Sequence, residues 1–418
     1  MRKRVKIEEL RLGMYVSELD RQWPDSPFVT QSFVLESIDQ VNLLARHCDH
    51  LYIETDLEAF FEVSDNHRNT GFTHLQRPEV DFALLKKLVA PGRKSSRYGD
   101  LVTLEEEIRT IQEVHSQAVE LIEDLMCQLR QGHSLDVSAT HDVVSEFTNS
   151  IVRNPDALVC FTRMKGVRAS AAQHGLRCCI YALVLGRHLG LEQRQLHDLG
   201  IGALLHDIGK TRVPIEILEC GYELNVEETR IYRKHVADGV AILEGAVKIP
   251  AASVELVRLH HERFDGSGYT SGLSGNEISQ FGHIGGIVDV FDGLINSHPG
   301  HKHLPVHTAL KVMYEQRGKM FHPHLVEEFI RCVGIYPIGS IVEMRSGEVG
   351  VVVALNRTRR LKPHVAIVQD PAASRLDNVL VVNMDKHRNR HGETLEIARV
   401  LDENVCDFDP SDYLPVVA

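Results

Sequence analysis

Apolar residues recur at helical spacing through most of the chain between residues 140 and 334. A hydrophobic position every three or four residues is typical of amphipathic helices that share a core. The pattern predicts helices over residues 143–153, 168–189, 193–205, 226–243, 251–262, 283–296, 306–314 and 323–332. Asn225 and Glu228 have the spacing of a capping box, and Gly190 follows one helix as a terminating glycine. This segment is therefore predicted to be an all-helical bundle.

Different patterns flank the bundle on both sides. Residues 1–65 mix short alternating segments with turn residues, which predicts a small β-rich or α+β domain. Residues 66–139 begin as a polar linker and continue, from Thr103 to Gln131, as one long amphipathic helix. Residues 335–418 contain short alternating segments separated by turns, which predict a small β appendage. The apolar stripe of the long helix either packs on its own domain or forms the seam of a homodimer.

Length and charge narrow the class of protein. A chain of 418 residues is long for one core, so several domains are expected. The net charge of -12 argues against a protein that coats a nucleic-acid polymer or an anionic membrane. The chain contains no run of about 18 apolar residues, so no membrane span is expected. The eight cysteines are scattered without a Cys-x-x-Cys pair and are expected to be reduced, as in a cytoplasmic protein.

Histidine and aspartate residues recur on successive predicted helices of the bundle. The candidates are His174, His206, Asp207, His235, His260, His261 and Asp289. Any one of these histidines alone is explained as a surface or hydrogen-bonded residue. However, four members form two vicinal pairs at helix ends, and Asp289 lies in an apolar stretch where a carboxylate needs a partner. Because neutral imidazoles and carboxylates suit two divalent metals that activate a shared water, the set predicts a dimetal centre inside the bundle.

Two motifs of the bundle carry a resemblance to a known family. His206-Asp207-Ile208-Gly209-Lys210, together with the run from His260-His261 to Gly268-Tyr269, resembles the HD-GYP family of bacterial cyclic di-GMP phosphodiesterases. The resemblance covers about residues 140 to 334. Residues 1 to about 60, with Gly13-Met14-Tyr15-Val16 and Trp23-Pro24, resemble the small domain that precedes some members. The implied fold is an HD-superfamily helical bundle, and the implied reaction is hydrolysis of cyclic di-GMP to linear pGpG, to GMP or to both.

The resemblance also implies a role for individual residues. The seven histidines and aspartates match the ligands of two divalent ions, for which iron or manganese is expected and zinc is the alternative. Asp207 matches the carboxylate that bridges both metals, beside a bridging hydroxide that attacks the phosphodiester. Lys210 matches the lysine that holds the scissile phosphate, so Asp207 and Lys210 are the predicted catalytic residues. Tyr269 matches the tyrosine of the signature loop and is a predicted substrate contact.

The chain departs from the family pattern at several positions. Some relatives carry a glutamate one turn before the first histidine and bind a third metal, but this chain has Ser170 there, which favours a binuclear site. Thr270 replaces the proline of the signature, which loosens a loop whose φ the proline would fix. Because Tyr269 is retained, we expect only a modest effect.

A larger departure follows Asp289, where the family usually has an arginine before a proline. Here His298 precedes Pro299, and Lys302 follows shortly after. Arginine binds phosphate through two hydrogen bonds and is always charged, whereas histidine is mostly neutral at pH 7. We therefore predict His298, Lys302 and Arg263 as substrate contacts, with Lys302 or Arg263 compensating for the missing arginine.

Three functions are compatible with these residues. The first is metal-dependent hydrolysis of cyclic di-GMP. The second is a binding module of weak activity, which reports cyclic di-GMP occupancy to signalling partners through its flanking domains. The third is another HD-type reaction, such as hydrolysis of a different nucleotide or oxygen chemistry at a di-iron site. The sequence leaves open the metal, the final product, the oligomeric state and the signal read by the N-terminal domain.

Overall fold

The computed structural model describes residues 2–6, 15–19, 33–34, 44, 50–54 and 97–415, except 134, 136, 164–169, 219–223, 297–303, 358, 373, 389–393 and 402–405. The chain forms two compact units. One contains Met1–Arg77, Glu219–Thr229 and Ser297–Lys302, and the other contains Pro78–Leu218, Arg230–Asn296 and His303–Ala418.

The first unit contains a four-stranded antiparallel sheet. Its strands are β1 (Arg2–Lys6), β2 (Tyr15–Leu19), β3 (Phe33–Val34) and β4 (His50–Glu54), in the order β1-β4-β2-β3. Arg2 lies opposite Glu54 in the β1–β4 pair, and Tyr15 lies opposite Val34 in the β2–β3 pair. The prediction of a β-rich N-terminal region is therefore confirmed for these strands. Trp23-Pro24 lies outside the described residues.

Helices make up most of the described chain, which confirms the mainly α class. They are α1 (Leu104–Arg130), α2 (Ser138–Arg153), α3 (Pro155–Thr162), α4 (Ala171–Leu189), α5 (Gln193–Leu205), α6 (Ile215–Leu218), α7 (Val226–Glu244), α8 (Ala251–Leu259), α9 (Gln280–Ile295), α10 (Val306–Glu315) and α11 (Pro323–Val333). Helix α4 is buried along almost its whole length and packs against α5, α9 and α11. Among the described residues, we find no helix with the length and apolar character needed to traverse a lipid bilayer.

The predicted helix ends are present in the structure. The Asn225 side chain accepts from the main-chain N–H of Glu228, and the Glu228 carboxylate accepts from that of Asn225, which completes the capping box. Gly190 closes α4 with a φ of 78°, a left-handed conformation that favours glycine. At the other end of α4, the hydroxyl of Ser170 caps the helix by accepting from Gln173.

Several helical details differ from the prediction. Helix α8 ends at Leu259, before the predicted end at residue 262, and Glu262 belongs to the following loop, where its carboxylate accepts from the N–H groups of Ser271 and Leu273. The four-residue helix α6 was not predicted, and neither was helix α3. Helix α3 begins at Pro155, directly after α2, and its eight residues are too short to show a helical period.

The C-terminal region is an antiparallel sheet, as predicted. Its strands are β5 (Ile341–Met344), β6 (Val349–Ala354), β7 (His364–Gln369), β8 (Arg375–Asn383) and β9 (Ile397–Leu401), in the order β8-β7-β6-β5-β9. Strand β9 was not predicted, because only Ile397 of its five residues is buried and its burial shows no clear alternation. The sheet contacts the helices through Asp156 of α3, which accepts from the N–H of Leu355 and forms an ion pair with Arg357.

Candidate metal centre

Five helices bring the seven predicted ligands into one cluster. His174 lies in the first turn of α4, and His206-Asp207 follow α5 directly. His235 lies within α7, His260-His261 follow α8, and Asp289 lies within α9. All six residues other than Asp289 are buried, and the Asp289 side chain is 17% exposed.

A close approach of α4 and α5 places the first two histidines together. A Cβ atom on Gly175 would lie only 2.5 Å from the carbonyl oxygen of Leu204, so this contact requires glycine. The rings of His174 and His206 consequently lie 5.1 Å apart, on two helices joined by a short turn.

Asp207 lies between two groups of imidazoles. Its Oδ2 is 3.5 Å from Nε2 of His206 and 3.7 Å from Nε2 of His174. Its Oδ1 is 3.5 Å from Nε2 of His235 and 3.9 Å from Nε2 of His260. The two carboxylate oxygens therefore face different histidines, which is the arrangement that a bridging ligand needs.

Asp289, on helix α9, lies close to the histidines on both sides of Asp207. Its Oδ1 is 3.1 Å from Nε2 of His174 and 3.7 Å from Nε2 of His206. Its Oδ2 is 3.9 Å from Nδ1 of His261, whose Nε2 is 3.1 Å from Nε2 of His235. His174 and His206 thus form one group, and His235, His260 and His261 form the other.

Main-chain hydrogen bonds set the ring orientation of three histidines. The Nδ1 atoms of His206, His235 and His260 lie 2.8, 2.7 and 2.8 Å from carbonyl oxygens three residues earlier, those of Ala203, Tyr232 and Val257. Because Nδ1–H donates to the carbonyl, Nε2 keeps its lone pair toward the cluster. Burial lowers the pKa of His235 to about 4 and that of His260 to about 3. Both rings are therefore neutral at pH 7, the form that binds metals.

Several buried polar atoms of the cluster have no hydrogen-bond partner among the described residues. They are Nε2 of His206, Nε2 of His260, Nδ1 of His261 and Oδ1 of Asp207. Such atoms cost free energy unless a ligand satisfies them. Asp207, His235, His260 and His261 each offer a ligand atom within 4.8 Å of the others. This donor set fits divalent metal ions, and its mixture of imidazole and carboxylate suits iron, manganese or zinc.

Lys210 lies at the edge of the cluster, on the 3-10 turn Ile208–Arg212. Its ammonium donates to Oδ2 of Asp207 and lies 5.4 Å from the centre of the Tyr232 ring. Burial acts to raise the pKa of Asp207, but Lys210 and the nearby imidazoles hold that pKa well below its ordinary value. The carboxylate is therefore ionised, as a metal ligand must be.

Tyr269 packs against one of the predicted ligands. Its ring stacks on His261, with centroids 4.6 Å apart and planes 19° apart, and its N–H donates to the His261 carbonyl. The guanidinium of Arg233 lies 4.9 Å from the centre of the same ring. The signature loop therefore supports His261 and brings a cation of α7 close to the cluster.

The remaining predicted substrate contacts have different outcomes. Arg263 is only 1% exposed, and it donates to the carbonyl oxygens of His260 and Glu262. This burial favours a structural role in the loop over the predicted phosphate contact. His298 and Lys302 lie outside the described residues. Ser170, at the position of the absent glutamate, donates its hydroxyl to Glu123 of α1 at 3.1 Å.

Several residues near the cluster were not predicted from the sequence. Asp292 contacts His174, Arg177 contacts Asp292, and Tyr232 contacts both Lys210 and His235. Asp292 could have been predicted from the sequence, because it lies three residues after Asp289 in the same apolar stretch and therefore on the same helix face. Arg177 and Tyr232 lie three residues from His174 and His235 and could have been predicted in the same way.

Two family models together match most of the chain. An HD domain model matches residues 164–325, and a model of a domain of unknown function, DUF3391, matches residues 2–140. A cyclic di-GMP phosphodiesterase of Pseudomonas aeruginosa is 31% identical over 368 residues, which are 88% of this chain and 85% of that protein. A cyclic di-GMP phosphodiesterase response regulator of Xanthomonas campestris is 26% identical over 259 residues, 62% of each chain.

More distant matches extend the comparison. A 3'3'-cGAMP-specific phosphodiesterase of Vibrio cholerae is 33% identical over 155 residues, 37% of this chain and 30% of that protein. Among solved structures, a HDG"Y"P protein from Bdellovibrio bacteriovorus aligns with a TM-score of 0.45 and 17% identity, and covers 79% of this chain and 98% of that one.

These relatives and the HD domain define the chain as an enzyme of the metal-dependent phosphodiesterase class. The chain belongs to the HD-GYP family, with a DUF3391 domain at its N-terminal end.

Proposed function

We propose that this protein hydrolyses cyclic di-GMP to linear pGpG, to GMP or to both, using two divalent metal ions held by the seven histidines and aspartates. The observation that supports a binuclear centre most directly is that Asp207 directs its two oxygens at two separate groups of imidazoles. The substrate is supported by the Pseudomonas aeruginosa relative, which is named for cyclic di-GMP and is matched over 85% of its length.

The residues of the chain have distinct parts in this reaction. Bound divalent ions supply an activated water as the nucleophile and neutralise charge on the phosphodiester. Burial lowers the pKa of His235, His260 and His261, so these imidazoles stay neutral, while Asp207 and Asp289 contribute the negative charge that the ions would require. Lys210, next to Asp207, offers an ammonium group to a phosphate oxygen and so stabilises the charge that develops in the transition state.

We also propose a division of the chain into residues 1–65, 66–139, 140–334 and 335–418. Strands β1 to β4 lie within the first segment, α2 to α11 lie within the third except for the start of α2, and β5 to β9 lie within the fourth. The third segment is the proposed catalytic domain. Partner proteins, a homodimer and a cytoplasmic location are further proposals, supported only by the sequence. The apolar stripe of α1 packs within its own chain, where Ile108, Ile111 and Ile122 are buried, so the structure favours this packing over a dimer seam.

Replacement of the bridging carboxylate tests the proposed function. In metalloproteins, replacing a residue that only supports a metal ligand typically lowers metal affinity or activity by about 10- to 100-fold. Asp207 is itself a proposed ligand, so Asp207→Asn should lower turnover of cyclic di-GMP by more than about 100-fold. It should also reduce the metal content. Products are separated chromatographically, and metals are measured by elemental analysis of protein purified without oxygen, since an iron centre would be oxidised in air. Asp238→Asn on α7, which removes a partner of Arg212, is the matched control and should retain both.

Each of three outcomes would contradict this proposal. Fully metallated wild-type protein that leaves cyclic di-GMP uncut would overturn it. Tight binding of cyclic di-GMP without turnover would instead identify a binding module. Cleavage of 3'3'-cGAMP or a linear nucleotide in preference to cyclic di-GMP would identify a hydrolase with a different substrate.

A further inference from the structure

We propose that Asp292 is a positioning residue of the metal centre, which fixes the direction of the His174 imidazole. The inference rests on the proposed binuclear centre, because it assigns a residue that holds one of its ligands. Asp292 lies one turn after Asp289 on α9, so one helix provides both a proposed ligand and the support of another.

The contact between Asp292 and His174 is short and buried. Oδ2 of Asp292 lies 2.7 Å from Nδ1 of His174, and Asp292 is completely buried. Because a carboxylate only accepts, Nδ1–H of His174 donates to it. Nε2, on the opposite side of the ring, faces the cluster 3.1 Å from Oδ1 of Asp289 and is the atom that would bind a metal.

His174 differs in this respect from three other ligands of the cluster. His206, His235 and His260 each donate Nδ1–H to a main-chain carbonyl oxygen. A hydrogen bond to a carboxylate is stronger than one to a neutral carbonyl and makes the opposite ring nitrogen a better ligand. His174 is therefore held more firmly than the other three, by a group from a different helix.

The Asp292 carboxylate is itself held in place from several directions. Arg177 donates Nε to Oδ1 at 2.7 Å and Nη2 to Oδ2 at 2.8 Å, and Asn296 donates its amide to Oδ1 at 2.8 Å. Together with His174, these bonds engage both oxygens twice, so the carboxylate cannot rotate without breaking hydrogen bonds. Arg177 lies one turn after His174 on α4, and the group therefore joins α4 to α9 beside the metal centre.

Stability alone does not account for this arrangement. A buried ion pair contributes little to stability compared with apolar residues of similar size, because both charges lose their hydration. The chain also contains a second buried aspartate bound to an arginine, Asp156 with Arg357, which contacts none of the proposed ligands. Asp156 is a matched control, since it shares the burial and the arginine of Asp292 but not the histidine.

The experiment compares Asp292→Asn with Asp156→Asn, both purified without oxygen and loaded with the same metal. We expect both variants to unfold at a lower temperature than wild type. Only Asp292→Asn should bind metal more weakly, by about 10- to 100-fold at one of the two sites. Affinity is measured by competition with a chromogenic chelator. The visible spectrum of the cobalt(II)-loaded protein should change only for Asp292→Asn, since it reports on the ligands around the ion.

A double-variant comparison separates positioning from a general loss of structure. In a His174→Ala background, Asp292→Asn should cause no further loss of metal affinity, because the histidine that it positions is absent. Arg177→Lys, which keeps the charge but not the two-pronged hydrogen bond, should weaken metal binding in the same direction and by less. This variant keeps the test usable if Asp292→Asn does not fold.

Two results would overturn the inference. One is wild-type metal affinity and an unchanged cobalt spectrum in Asp292→Asn or, if that variant does not fold, in Arg177→Lys. The other is an equal loss of affinity with and without His174. These measurements use metal alone and need no substrate. If the wild-type protein binds two ions but does not cut cyclic di-GMP, the proposed substrate is wrong, but the role of Asp292 can still be tested.

Discussion

Tyr232 supports two members of the proposed site at once. Its main-chain carbonyl accepts from Nδ1 of His235 at 2.7 Å, and its ring lies 5.4 Å from the Lys210 ammonium. Burial raises the pKa of the phenol, and the charge of Lys210 only partly reverses this shift, so the hydroxyl stays protonated at neutral pH. The backbone of Tyr232 thus orients His235, a proposed metal ligand, and its side chain lies beside Lys210, the proposed phosphate-binding lysine.

Substitutions of Tyr232 should separate these two contributions. Tyr232→Leu removes the aromatic ring beside Lys210 but keeps the carbonyl, so kcat/KM for cyclic di-GMP should fall roughly 2- to 30-fold at unchanged metal content. Tyr232→Phe keeps the ring and should lose less. Steady-state kinetics and elemental analysis check both variants, with Tyr181→Phe as a control that also loses a buried hydroxyl, bound to Thr162. If Tyr232→Leu lowers kcat/KM by the same factor in a Lys210→Met background, the ring does not act through Lys210, which would contradict this role.

Several residues of the candidate site could be predicted because their sequence context is unusual. Two vicinal pairs and an aspartate in an apolar stretch were enough to select residues that the structure brings together. The contacts of Tyr232 with Lys210 and of Asp292 with His174 join segments that are distant in sequence, and helical periodicity does not specify which segments are neighbours. Arg263 was selected for its charge alone, whereas the structure buries it against main-chain carbonyls.

At the scale of elements, the contact between the 3-10 turn Ile208–Arg212 and α7 positions both Lys210 and His235. Gly209 lies at this contact, and a Cβ atom there would be 1.9 Å from the carbonyl oxygen of His235 and 2.5 Å from the nitrogen of Gly239. No side chain fits at this distance, so the turn and the helix approach through their backbones.

Gly209→Ala should therefore force the turn away from α7. We expect a loss of about 1–3 kcal/mol in the free energy of unfolding, as for other overpacked sites, together with a lower metal content because His235 shifts. Denaturant unfolding and elemental analysis measure the two effects. Gly99→Ala is the control, since no neighbouring atom lies within 4 Å of its Cβ position. If Gly209→Ala has the stability and metal content of the wild type, the turn can move away from α7 without loss, and this prediction is wrong.

The element boundaries were predictable where local chemistry specifies them. The capping box of Asn225 and the terminal Gly190 act within a few residues of sequence, and the structure contains both. Strand β9 was missed because its pairing with β5 is a contact between distant segments, and its exposed residues provide little alternation.

At the scale of the whole molecule, charged residues join the helical bundle to the C-terminal sheet. Asp156 of α3 pairs with Arg357, and Arg357 also lies 3.5 Å from Asp100. Asp100 in turn accepts from Arg187 of α4 at 2.8 Å. These ion pairs therefore link the sheet to α4, the helix whose first turn contains His174.

Arg357→Ala should destabilise the protein because Asp156 would remain buried with its charge unpaired. We expect a loss of about 3 kcal/mol in the free energy of unfolding, and the double variant with Asp156→Asn should recover part of it. Urea unfolding at neutral pH measures both. Arg359→Ala, which breaks an exposed ion pair with Asp385, should cost less than about 1 kcal/mol. A similar small cost for Arg357→Ala would mean that water solvates Asp156 once the arginine is removed.

The proposed ligands are spread from His174 to Asp289 on five helices, which has a consequence for how the protein matures. An unfolded chain presents at most a vicinal pair such as His260-His261 to a metal, and those two side chains alone bind weakly. The remaining ligands meet only after loops of many residues have closed and the helices have docked, which is a slow, late event in folding. We therefore expect metal acquisition in this protein to follow the assembly of the bundle and not to initiate it.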